Sequence, residues 1–259
     1  MRGADAGLVA GGVLLALWVV SAAVVLAGHH LATAVRTPVL AATGAAVVLL
    51  AGHVAVVDAV EDHSAVALLD APGYGWSVTH RTGALTGVMT VVSTIGDAGG
   101  MVVLAAVALV LLLRRRRRAE AVVVVVATGG AELLSQGAKF LYARERPPVE
   151  GRLVPETSSA LPSGHSLGAV VVIGLVAAIA VLSVQGRVRR AAIGAGAAVA
   201  VLLIGESRLY LGVHWPTDIA SGYLLGGAWL ALCIGAVVLV RRRTPLSAPT
   251  EPVVIVPAN

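Results

Sequence analysis

Residues 98–118 read AGGMVVLAAVALVLLLRRRRR, sixteen small or apolar residues followed at once by five arginines. A helix rises about 1.5 Å per residue and a bilayer core is about 30 Å thick, so apolar runs approaching 20 residues are candidates to cross it. The arginines mark where the chain leaves the hydrocarbon. Lysine and arginine gather in cytoplasmic loops, and the same ending recurs twice: Arg187, Arg189 and Arg190 follow a second apolar stretch, and Arg241 to Arg243 follow a third. Beyond these runs the 259 residues are 58% hydrophobic and only 13% charged, with a mean hydropathy of +0.90. Soluble chains are about 25% charged, so this one has too few charges to cover a globular surface, and the same arithmetic excludes intrinsic disorder. The expected fold class is all-α, a polytopic membrane helical bundle.

Seven stretches are expected to span: Ala6–Ala27, Val39–Val57, Ala98–Leu113, Ala121–Ala138, Ser166–Val184, Ala191–Gly205 and Ile219–Val240. With the three arginine runs cytoplasmic, the spans from Ala98 onward alternate without exception, and the segments 139–165 and 206–218 face outward. The stretch from Asp58 to Asp97 is then an outward loop, partly along the interface where Tyr74 and Trp76 can settle. The division that follows is an amino-terminal apolar segment over 1–38, read as an extra span because its 22-residue run is long for a signal core, the alternative being a cleaved signal with the mature chain starting near His29. A membrane domain over 39–243 holds a six-span core, and a mobile cytoplasmic tail covers 244–259. The net charge of +5 does not point to nucleic acid, since no aromatic residues interleave the arginines to stack on bases. The lone Cys233 has no partner for an intramolecular disulfide and reads as a packed, inert thiol.

The outward segments concentrate residue types that a lipid-facing chain avoids. Lys139, the only lysine in the chain, lies with Arg144 and Arg146 before Pro147 and Pro148, which end a helix. Pro162, Ser163, Gly164 and His165 stand immediately before an apolar span, which places Ser163 and Gly164 at a helix amino terminus, where unpaired N–H groups and the dipole favour an anion. Ser207, Arg208, His214 and Asp218 flank the start of the last span. His214 and Asp218 are four apart, so on helical backbone the carboxylate can accept from one imidazole nitrogen and leave a lone pair on the other. Three fixed cations, Lys139, Arg146 and Arg208, around a helix amino terminus and two histidines suit a transferring phosphoryl group. One histidine can attack and the other can protonate the leaving oxygen.

Lys139 with Arg146 and Pro147, then Pro162 to His165, then Ser207 and Arg208 with His214 and Asp218, resembles in order and spacing the three-part signature of the type 2 phosphatidic acid phosphatase family. That family includes lipid phosphate phosphatases and is related to vanadium-dependent haloperoxidases. The resemblance implies a six-span core, His214 as nucleophile, Asp218 as its orienting partner and His165 as general acid. It further implies that Lys139, Arg146, Ser163, Gly164 and Arg208 hold the phosphate. The activity it implies is hydrolysis of a lipid phosphomonoester or pyrophosphate at the outer face of the cytoplasmic membrane through a phosphohistidine. The expected partners are a lipid phosphate of the phosphatidic acid, phosphatidylglycerol phosphate or polyprenyl diphosphate type, and membrane lipids.

No cofactor is expected, and no metal, because three neighbouring cations repel a divalent ion. Two rivals share these residues: a phosphotransferase that passes the phosphoryl group to a second lipid or sugar, and a bundle that binds or transports a phosphorylated lipid without turnover. Embedding in a membrane argues against a haloperoxidase. Elsewhere, Arg114 to Arg118 read as an anchor for lipid headgroups. His53, Glu132 and Gln136 read as interhelical hydrogen-bonding groups, and Asp58, Glu61, Asp62 and His63 as a solvated loop. Glu206, beside Ser207, is the candidate partner of Arg208 in the sequence.

Overall fold

The computed structural model describes residues 33–243; the expected amino-terminal span 6–27 and the tail 244–259 lie outside the described residues. Within them are eight α-helices and no strand: α1 (Thr33–Glu61), α2 (Asp70–Thr79), α3 (Gly83–Ile95), α4 (Ala98–Arg114), α5 (Arg118–Tyr142), α6 (Gly164–Val181), α7 (Arg187–Tyr210) and α8 (Pro216–Arg243). Among the described residues α1, α5, α6, α7 and α8 are each long and apolar enough to cross a membrane, and α3 with α4 makes a sixth candidate bent by 54°. The outward faces agree, since Phe140, Leu133 and Val188 are 86%, 76% and 83% exposed. Such surface is costly in water and at home in lipid.

The stretch 58–97, expected as a loop, is mostly helical. A 3-10 turn over Ala65–Leu69 leads into α2 and then α3. The expected span Ala98–Leu113 falls in α4, which is long enough to be a candidate only together with α3. The break falls at Gly96 and Asp97, where the Asp97 side chain accepts from the Gly100 amide at 2.7 Å and starts α4 as a new helix.

Packing centres on α8, which lies against α1, α6 and α5. Small residues set the spacing. A Cβ at Gly222 would stand 2.6 Å from the Ser163 carbonyl oxygen, and one at Gly226 2.9 Å from that of Leu167, so α8 approaches α6 backbone to backbone. Gly130 of α5 gives the same room to the Trp229 ring, whose Nε1 donates to the Ala127 carbonyl at 3.0 Å. Cys233 is buried in this core with Leu167, Val171, Leu175 and Val237. His53 does join helices, bonding Tyr142 of α5 at 3.1 Å and Ser221 of α8 at 2.9 Å. Gln136 and Glu132 instead bond each other within α5.

Because the helices alternate in direction, Arg114 to Arg118, Arg187 to Arg190 and Arg241 to Arg243 fall at one end of the bundle. There Glu120, 6% exposed, takes hydrogen bonds from Arg117 and Arg241, and Arg241 also donates to the last carbonyls of α6 at Ile179 and Leu182. The opposite end carries the three motifs described next.

Candidate active site

Every residue expected at the site lies at the end of the bundle away from the arginine runs. Lys139 is in the last turn of α5, after which Ala143 adopts a left-handed conformation (φ 46°) and turns the chain into 144–163. Ser163 is the amino-terminal cap of α6; its hydroxyl accepts from the Ser166 amide at 3.4 Å, and its own N–H donates to the Asp218 carbonyl at 2.9 Å. The first-turn amides left without an intrahelical acceptor are those of Gly164 and His165. Arg208 ends α7, and His214 lies in the turn before α8 rather than on it.

The turn nevertheless brings His214 to Asp218. Asp218, fully buried, accepts at Oδ2 from the Trp215 amide at 2.8 Å, and the same oxygen lies 3.3 Å from His214 Nδ1. On the other side of the ring, Arg146 Nη1 lies 3.2 Å from His214 Nε2. A guanidinium can only donate and a carboxylate here only accepts, so the network assigns the proton to Nδ1 and the lone pair to Nε2. That lone pair faces the cations. His165 sits within electrostatic reach of Arg208, His214 and Lys139, and the Ser93 backbone accepts from its ring.

The cations are held from behind. Arg146 donates through Nε to the Ser158 carbonyl at 2.6 Å and through Nη1 to that of Val213 at 2.6 Å, while Lys139 donates to the Ser158 hydroxyl at 2.9 Å. Arg208 Nη1 donates to Ser93 Oγ at 2.7 Å. The expected Arg208 partner, Glu206, points elsewhere and is exposed, because residues two apart on a helix do not share a face. The acid that pairs with Arg208 is Glu156, which also lies 3.5 Å from Arg146. Among the described residues Arg208 Nε is one of two buried side-chain polar atoms without a hydrogen-bond partner, a donor suited to an anion. Sequence reasoning missed Glu156 and Ser93 altogether; neither sits at a spacing that marks it.

A second layer was also missed. Arg144, read as part of a helix-ending basic group, donates to Asp218 Oδ1 at 2.5 Å and to Asp70 of α2 at 2.6 Å. Beside the site a cavity of about 370 Å³ runs from Lys139 and His165 between α4, α5 and α6, past Gly96, Met101, Gly129 and Val172. Its walls are mainly apolar, and its mouth holds the amino terminus of α6.

Residues 120–242 match the profile of the family described as the PAP2 superfamily. Phosphatidylglycerophosphatase B of Bacillus subtilis (strain 168) is 36% identical over 99 residues, which are 38% of this chain and 48% of the relative. The chain thus spans about half the length of that curated relative. The crystal structure of a transmembrane PAP2-type phosphatidylglycerolphosphate phosphatase from Bacillus subtilis is similar with a TM-score of 0.69 and 26% identity, covering 78% of this chain and 98% of that one. Aquifex aeolicus LpxE is similar with a TM-score of 0.49 and 22% identity, covering 66% of this chain and 95% of that one.

Proposed function

We propose, from the membership of residues 120–242 in the PAP2 superfamily, that this multi-pass membrane protein is a phosphatase. Its substrate is a lipid phosphomonoester or pyrophosphate, hydrolysed at the outer face of the cytoplasmic membrane. The observation that carries the reading is the His214 Nε2 lone pair facing Arg146, with Nδ1 held by Asp218. In this reading a phosphate takes its charge compensation from Lys139, Arg146 and Arg208 and from the Gly164 and His165 amides, with Ser163 setting the start of that helix. Its arrival displaces the Arg146 contact from Nε2 and shares Arg208 with Glu156.

His214 Nε2 then attacks phosphorus in line, forming an N–P bond as the P–O bond to the lipid breaks. His165, which takes up a proton as the phosphate dianion arrives and offsets the surrounding cations, gives that proton to the departing oxygen. Water attacks the phosphohistidine with His165 taking its proton, and inorganic phosphate leaves with His214 neutral again. The lipid portion lies in the groove between α4, α5 and α6, which keeps its chains in apolar surroundings while the phosphate reaches the polar end. Both imidazoles and the three cations act without a metal, so chelator leaves the rate unchanged.

The test is phosphate release from a panel of lipid phosphates by purified protein in nanodiscs, with no acceptor alcohol present so that transfer is separated from hydrolysis. His214→Ala is expected to lower the rate by about 10⁴-fold or more, as removal of a nucleophile does. A variant retaining full activity defeats the mechanism, and lipid binding without release by the wild type favours a non-catalytic bundle.

A further inference from the structure

The mechanism above uses Asp218 only as the partner of His214, yet the larger share of the Asp218 contacts runs away from the imidazole. Oδ1 is taken by Arg144 Nη1 at 2.5 Å, and the other amino group of that guanidinium, Nη2, donates to Asp70 Oδ2 at 2.6 Å. Asp70 in turn accepts from the Thr217 amide at 2.9 Å and from the Thr217 hydroxyl at 2.6 Å, and that hydroxyl accepts from Arg144 Nη1 at 2.8 Å. Arg144, Asp70 and Thr217 close a ring, and Asp218 is tied to it through Arg144. Its acidic and hydroxyl members are buried, Asp70, Thr217 and Asp218 being 6%, 4% and 0% exposed, while the Arg144 side chain is 17% exposed. A solvent-exposed ion pair loosens readily, whereas a buried one with each oxygen and N–H matched holds one geometry.

The ring joins three parts of the chain. Asp70 opens α2, Arg144 lies in the turn after α5, and Thr217 and Asp218 are in the first turn of α8. Asp70 thereby does for α8 what a cap residue normally does from within the same helix, satisfying a first-turn amide. Further contacts hold α2 against this turn. The Tyr74 and Trp215 ring centroids are 5.3 Å apart, and a Cβ on Gly73 would lie 2.8 Å from Pro216 Cγ. His214 is therefore flanked by a turn whose next three residues are each held by α2.

We propose that Asp70 and Arg144 are positioning residues: through Arg144 the carboxylate of Asp70 fixes the rotation of Asp218, so that Oδ2 meets His214 Nδ1 and the Nε2 lone pair stays aimed at phosphorus. The juxtamembrane helix α2 thus belongs to the catalytic apparatus although none of its residues touches the phosphate. The proposal rests on the phosphatase reading for its kinetic assay but has a second readout independent of turnover.

The experiment uses the full chain in nanodiscs, with phosphate release measured against the surface fraction of dioleoyl phosphatidic acid, in the wild type, Asp70→Asn, Asp70→Glu, Arg144→Lys and the Asp70→Asn/Arg144→Lys pair. Misaiming a nucleophile by about 1 Å costs on the order of 100-fold. Asp70→Asn and Arg144→Lys are thus expected to lower kcat about 10- to 100-fold with KM within about threefold. Asp70→Glu restores part of the loss, and the pair is no worse than Arg144→Lys alone, because both act through one link. A scaffolding role alone lowers the yield of folded protein, leaves kcat per folded molecule unchanged and gives additive losses, which overturns the proposal.

Nitrogen-15 histidine spectra of the same samples supply the other readout: one Nδ1–H tautomer for His214 in the wild type and a mixture in Asp70→Asn. A single tautomer in both, with kcat within twofold, also overturns it. If the wild type hydrolyses none of the lipid phosphates while the tautomer still changes, the phosphatase reading fails and the positioning ring stands. Should Asp70→Asn not fold, Thr217→Val removes only the hydroxyl bridge and is read by the same two measurements.

Discussion

His214 lies in the turn between α7 and α8, 1% exposed. Burial holds its imidazole well below the ordinary histidine range, and the positive charges of Arg146, Arg208 and Lys139 push the same way against the opposing Glu156. In the proposed reaction the nucleophile must be neutral, so His214 would stay competent in acid where an exposed histidine is already protonated. The acid limb of kcat/KM attributable to the enzyme, after the separately measured ionisation of the substrate phosphate is divided out, is expected below about pH 6.5. The sign for stability is opposite in feel. Above about pH 6.5 neither state binds the proton and this group is neutral in its effect. As pH falls below that value the unfolded chain binds it first, so the folded state loses up to about 1.4 kcal/mol per pH unit until its own lower value is reached. Thermal unfolding followed from pH 8 to 5 reads the loss, and a midpoint that rises toward acid contradicts it.

The arrangement of helices explains why two motifs so far apart in the chain meet. Gly222 lets α8 rest on the Ser163 carbonyl, and the Ser163 amide donates to the Asp218 carbonyl, so the amino termini of α6 and α8 are in register where the phosphate would bind. Gly222→Leu is expected to force them apart. Overfilling a packed contact costs about 1–3 kcal/mol, read as a lower unfolding midpoint, and activity falls by more than tenfold. Gly44→Ala on α1, where a Cβ meets nothing within 4 Å, leaves both unchanged. Equal effects from the two substitutions argue against the register. The elements least visible in the amino-acid pattern were α2 and α3. Pro72, Gly73 and Gly75 within α2 are poor helix formers, and it is the packing of Tyr74 and Gly73 on Trp215 and Pro216 that overrides local preference.

Taken whole, the bundle has a basic end and an end that carries the candidate site, and a bilayer gives them opposite environments. Cysteines introduced at Glu150 and Gln185, both exposed and at opposite ends, report the orientation against a native Cys233 that is 5% exposed. A membrane-impermeant thiol reagent is expected to label Glu150→Cys in intact cells and Gln185→Cys only after permeabilisation; the reverse pattern inverts the proposed topology. Reading the chain alone sufficed for the helical membrane class and for the motif spacing that singles out Lys139, Arg146, His165, Arg208, His214 and Asp218, side chains that the fold gathers at one end of the bundle. Transfer of each side chain into lipid is a local property, and motif spacing is written along the backbone. It did not reveal Glu156 against Arg208, 52 residues away, or Asp70 against Arg144 and Thr217, 74 and 147 residues away. Such pairings carry no period or signature along the chain. They exist because packed helices carry side chains distant in sequence into a small, poorly solvated space, where each buried charge must find a partner that only the folded arrangement can supply.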